Sequence, residues 1–70
     1  MTSHIGEIIA GGIRAQRARL HVTQKEVAEA IEANPATVCA WENRGCISLK
    51  DAWKLADYYG ISIDELAGRK

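Results

Sequence analysis

TQKEVAEAIEANPATVCAW, running from Thr23 to Trp41, contains two helix starts separated by one short turn. Thr23 is a good N-cap, because its hydroxyl can accept a hydrogen bond from an unpaired N–H of the first helical turn. Glu26, three residues on, completes a capping box. Val27, Ala28 and Ile31 then fall on one helical stripe. Asn34-Pro35 restarts the chain: a polar cap, then a residue whose fixed φ suits the first helical position. Val38 and Trp41, three apart, form the apolar edge of the second helix. Two helices of about two turns each, joined by a few residues, meet the requirement of a helix-turn-helix.

Upstream, residues 5–19 are expected to form the first helix, with Ile5, Ile9 and Ile13 at i, i+4 and i+8 and Ile8 beside them. Gly11 and Gly12 each cost about 1 kcal/mol against alanine in a helix interior. They either thin the helix where another element packs or mark a break before Ile13. Leu20 and Val22 are expected to reach the core. His21 stands where a glycine C-cap would be usual and reads as a helix end, not a ligand.

Downstream, residues 43–47 (NRGCI) form a loop, and Ser48 caps the next helix with Asp51 as its capping-box partner. Leu49, Ala52, Trp53, Leu55 and Ala56 give that helix an apolar face, and Gly60 ends it. Ile61 joins the core. A last short helix starts at Ser62 or Ile63 and runs through Leu66, and Gly68-Arg69-Lys70 is expected to fray. The expected fold is all-α: five short helices around one core, a single domain over residues 1–70. Trp41 and Trp53, both on apolar helix faces, are assigned to that core.

Composition narrows the function. With 47% hydrophobic and 26% charged residues, the chain is globular and not disordered. No apolar run approaches the roughly 20 residues of a membrane span. The polar start, Met1-Thr-Ser-His, leads into no signal-type core, so a cytoplasmic location is expected, at the nucleoid when DNA is bound. Cys39 and Cys46 match no metal spacing and read as reduced thiols, so no metal or other cofactor is expected. His4 and His21 have no carboxylate or cysteine at a catalytic spacing, which argues against an enzyme, and no small-molecule ligand is evident. The net charge is zero, an unfavourable balance for nucleic acid, whose non-specific affinity comes mainly from neutralised phosphates. Yet Arg14, Arg17, Arg19 and Lys25 share an acid-free stretch, with Glu26, Glu29, Glu32 and Glu42 after it. A neutral chain of that kind can carry a basic face.

Four fragments then converge. I-R-A-x-R at Ile13–Arg17, V-T-Q-K-E-V-A at Val22–Ala28, T-V-x-x-W-E-N at Thr37–Asn43 and K-L-A-D-Y-Y-G-I-S-I-D-E-L at Lys54–Leu66 resemble the lambda-repressor-like, Xre/Cro-type helix-turn-helix proteins. The resemblance runs from Ile13 to Leu66. It implies a recognition helix over residues 35–43 that lies in the DNA major groove with its N-terminal residues toward base edges. By position, Asn34, Pro35, Ala36, Thr37 and Ala40 would face bases. Gln24, Lys25, Asn43, Arg44 and Lys50 would meet phosphate, Gln24 helped by the positive end of its helix. Arg17 and Glu42 would form a structural ion pair clamping the first helix to the third.

The departures from the family pattern carry information too. Glycine is usual where this chain has Glu32, which is therefore expected to need a positive φ. Glycine is also usual at Arg44, so Gly45 would take over that turn and shift Arg44. Pro35, Ala36 and Ala40 offer no hydrogen bonds, whereas strong base discrimination comes from Arg, Lys, Asn or Gln. What remains is Thr37, Asn34, Cys39 and contact of alanine with thymine methyls, so direct readout is poor and specificity would lean on Arg44 and on DNA shape. The leading expectation is a sequence-specific transcriptional regulator that binds double-stranded DNA as a homodimer on a palindromic operator. The resemblance places the dimer surface on the last helix, around Ile63 and Leu66. The alternative is a protein-interaction module of the same fold, such as an antitoxin, with weak or no base readout.

Overall fold

The structure, a computed structural model, describes residues 3–68, and side chains from residue 5 onward. The start of the chain and Arg69-Lys70 of the expected frayed tail lie outside the described residues. Five helices follow one another: α1 (Ser3–Leu20), α2 (Gln24–Ile31), α3 (Pro35–Arg44), α4 (Leu49–Tyr59) and α5 (Ile63–Leu66). The described residues are all-α, as the sequence predicts.

The first helix decides between the two readings of Gly11 and Gly12, in favour of close packing and against a break. It is unbroken over 18 residues and is not short. Gly11 and Gly12 do not interrupt it, because backbone closeness is what one of them serves. A Cβ on Gly12 would run into the Leu66 carbonyl and the Gly68 N–H at the end of α5. The other helices start as their caps dictate. Thr23 and Ser62 each close a full capping box, with Glu26 and Glu65 respectively. Ser48 accepts from the Asp51 N–H at 3.1 Å.

Helix ends are equally local. His21 (φ 55°) and Glu32 (φ 59°) both occupy the left-handed region, the latter as the missing glycine predicts. Gly45 (φ 72°) ends α3, so Arg44 belongs to the last helical turn and the loop begins one residue beyond it. The second helix of the pair therefore extends one residue past the expected 35–43.

Ile13, Val27, Val38 and Leu55 are fully buried at the centre of the core, joined by Trp41, Tyr59 and Leu66. Each such side chain contributes roughly 1.5–3 kcal/mol. Five residues expected inside are exposed: Ile5, Ile8, Leu20, Leu49 and Trp53, the last at 66%. Helix phase explains Trp53 and Ile8. The inner stripe of α4 is Ala52, Leu55, Ala56 and Tyr59. At about 100° per residue, Trp53 points roughly a quarter-turn or more away from it. In α1 the buried positions are Ala10 and Ile13, and the same spacing turns Ile8 to the opposite side. Leu20 is left out because the chain turns away at His21. Leu66 is only 2% exposed, so the last helix cannot offer it as a dimer contact.

Candidate nucleic-acid interface

The helix pair is fixed from the inside by one carboxylate. Glu42, on α3, is 2% exposed and accepts from two helices. Arg17 of α1 donates from Nε to Oε2 at 2.7 Å and from Nη2 to Oε1 at 3.1 Å. Gln24 of α2 donates from Nε2 to Oε1 at 3.1 Å. The Glu42 carbonyl accepts from Arg14 Nη1. Arg17 Nη1 also donates to the Val22 carbonyl at 3.0 Å, tying down the chain just before Thr23. The bond to Glu42 raises the Arg17 pKa, with burial acting against it. A buried carboxylate supplied with three charged or amide N–H donors is well compensated for its lost hydration. Beside it, burial and then the Glu42 charge push the Tyr59 phenol up to about 12.

The expected ion pair is thus present and bidentate. Two partners of the same carboxyl and backbone group, Gln24 and Arg14, lie 18 and 28 residues away from it in sequence. No local pattern signals contacts at such separations.

From this anchor α3 projects a different surface. Asn34 caps it, its Oδ1 accepting from the Ala36 N–H at 2.8 Å. Pro35, Ala36 and Thr37 are exposed and Ala40 is half-buried. Asn43 and Arg44 are exposed at the far end of the helix, where Asn43 Nδ2 donates to Cys39 Sγ at 3.3 Å. Lys25 is exposed in the first turn of α2 and Lys50 in the first turn of α4. Gln24 is half-buried, with one amide N–H engaged by Glu42 and the second left over. The structure therefore groups Asn34, Pro35, Ala36, Thr37 and Ala40 on the N-terminal part of α3 and distributes the cationic candidates over three helices. Among the described residues no group of three or more His, Cys, Asp or Glu is placed to hold a metal ion.

An interior clamp, a capped helix pair and an exposed second helix define a helix-turn-helix domain. The helix-turn-helix family profile matches residues 13–66, well over half of the chain. The chain belongs to that family, in its Xre/Cro-type branch, whose members are DNA-binding transcriptional regulators. No curated protein and no solved structure matches it. The first turns of α1, residues 3–12, lie outside the matched stretch.

Proposed function

We propose that the protein is a sequence-specific DNA-binding transcriptional regulator that acts in the cytoplasm, with α3 in the major groove. The observation that carries this is the two-sidedness of α3. Val38, Trp41 and Glu42 hold it from within, while Pro35, Ala36 and Thr37 stand exposed at its N-terminal end. That is the end a recognition helix directs at base edges. Lys25, Asn43, Arg44, Lys50 and the second amide N–H of Gln24 would bind phosphates, with the α2 N-terminus adding its unpaired N–H groups. Thr37 and Asn34 would supply the polar base contacts, and alanine would meet thymine methyls. DNA shape would add the rest.

A homodimer on a palindrome follows from the charge. A neutral 70-residue chain offers few phosphate contacts, and a second copy doubles them. The test is a titration of operator-like and random duplexes at two salt concentrations, with the chain as it is and with Lys50→Ala. Affinity should fall steeply with salt, and Lys50→Ala should lower the slope of log K against log salt by about one. Binding that ignores both sequence and salt overturns the proposal.

One observation favours a second reading. The exposed Pro35-Ala36 surface and the half-buried Ala40 carry no hydrogen-bonding side chain, as suits a protein-interaction module. A Lys50→Ala, Arg44→Ala variant separates the two. Lost DNA binding with an intact fold supports the regulator, and loss of a protein partner alone supports the module.

A further inference from the structure

Two glycines face each other across the end of α3. A Cβ on Gly6, in the first turns of α1, would stand 2.7 Å from the Arg44 carbonyl oxygen. That is closer than even a Cα–H···O contact, at about 3.3 Å. A Cβ on Gly45 would overlap the Gly6 carbonyl itself. Gly45 is buried, and its φ of 72° already favours glycine there. Main chain therefore meets main chain, and the start of α1 lies directly on the turn that ends α3.

The last four carbonyls of a helix have no partner within it, and α1 lies against two of those of α3. Arg14 Nη1 donates to the Glu42 carbonyl, and Gly6 stands against the Arg44 carbonyl. Beyond this contact the path is set by two short-range bonds. The Gly45 N–H donates to the Trp41 carbonyl at 2.9 Å, and the Ile47 N–H to the Gly45 carbonyl at 3.2 Å. Arg44 is exposed and is the last residue of α3. The direction of its side chain is thus tied to how closely this turn seats on α1.

We infer that Gly6 is a positioning residue for DNA binding: by admitting the Arg44 carbonyl against α1, it fixes the turn that aims the Arg44 guanidinium at a phosphate. The first turns of α1, which the family match does not cover, then belong to the DNA-binding machinery. A methyl group at residue 6 must displace one of the two backbones. The next turn of α1 is held by buried Ala10, whereas residues 45–48 are a loop. The loop is the softer side, so it gives way and carries Arg44 with it.

This inference rests on the phosphate role proposed for Arg44, and its test keeps the two apart. The probe is the tightest duplex that the wild type selects from a randomised pool. Its binding to the full chain is titrated over a salt series for the wild type, Gly6→Ala, Arg44→Ala and the double variant. Gly45→Asn approaches the same contact from the loop side with a residue that tolerates a positive φ. Gly11→Ala is the control, the same exchange in the same helix, where a Cβ would meet only the Arg14 side chain at 3.7 Å. Gly6 lies about two turns before buried Ile13, so the core should stay folded, which circular dichroism checks.

Gly6→Ala and Gly45→Asn should each lower affinity about tenfold and the slope of log K against log salt by about one, as Arg44→Ala does. Neither exchange alters a charge, so a fall in slope reports a displaced cation and not a weakened fold. The double variant should bind no worse than Arg44→Ala alone, and Gly11→Ala should bind as the wild type does. Wild-type affinity and slope in folded Gly6→Ala or Gly45→Asn overturn the inference while leaving Arg44 on its phosphate. A Gly6→Ala loss that adds in full to that of Arg44→Ala overturns it too. If Arg44→Ala itself changes neither affinity nor slope, the phosphate role of Arg44 fails and its positioning by Gly6 falls with it.

Discussion

The inner and outer sides of α3 are made from ten consecutive residues and behave as two different materials. The inner side holds Val38, Trp41 and Glu42, all buried, with the carboxylate bonded to side chains from α1 and α2. The outer side shows a proline, an alanine and a threonine, all exposed, with the Asn34 cap at their start. The inner residues determine where the helix stands and the outer ones determine what it can touch. Position is therefore heavily specified and chemistry lightly so. A change inside should cost stability, and one outside should change binding with the fold intact.

The largest effect is expected at Trp41. It is 4% exposed, and Trp41→Ala leaves a cavity where α3 meets the core. Truncations of this type cost about 3–5 kcal/mol, a large fraction of the 5–15 kcal/mol typical of a whole domain. Urea unfolding followed by circular dichroism should show most of the folded population lost. A loss under about 1 kcal/mol would mean that α3 is held mainly by its polar clamp.

Glu42→Ala comes next and tests that clamp. Removing the carboxylate strands Arg17 and Gln24 against the protein, and breaking a buried pair from one side costs about 3–5 kcal/mol. Glu42→Gln keeps the shape and an oxygen acceptor, so it should retain part of the difference. If Glu42→Gln unfolds no more easily than the wild type, the charge on Glu42 does nothing for the fold.

The same contrast explains what could be read from the chain before its structure. Caps and turns were legible because their causes are local. Thr23 with Glu26, Asn34 before Pro35, and Glu32 in place of a turn glycine each act within three or four residues. The Arg17–Glu42 pair was legible only through the family resemblance. Trp53 was misplaced because a pattern of apolar positions shows that a helix has an apolar side, not which side is covered. In α4 the covering neighbours lie along Ala52, Leu55, Ala56 and Tyr59, and Trp53 faces away from them. Ile5 and Ile8 failed for a related reason. The close approach of Gly12 to the end of α5 sets the rotation of α1, and a glycine carries no apolar signal. The base-facing positions were named by family position, and the structure exposes Pro35, Ala36 and Thr37 without testing them.

The outer side of α3 gives the smallest effect on stability and the sharpest one on function. Ala36 is exposed in the first turn of the helix, so Ala36→Gln should shift unfolding by no more than about 0.5 kcal/mol. On DNA the new amide can offer a bidentate contact to adenine, worth about 1–3 kcal/mol of discrimination against the wrong base. Selection from a randomised duplex pool, run with the wild type and the variant side by side, should return a shallow preference at that base pair for the wild type. The variant should return a marked adenine there, with the other positions unchanged. If instead the variant selects the same sites with the same spread, Ala36 does not face a base edge. The outer side of α3 would then carry no readout, and the case for a protein-interaction surface would strengthen accordingly.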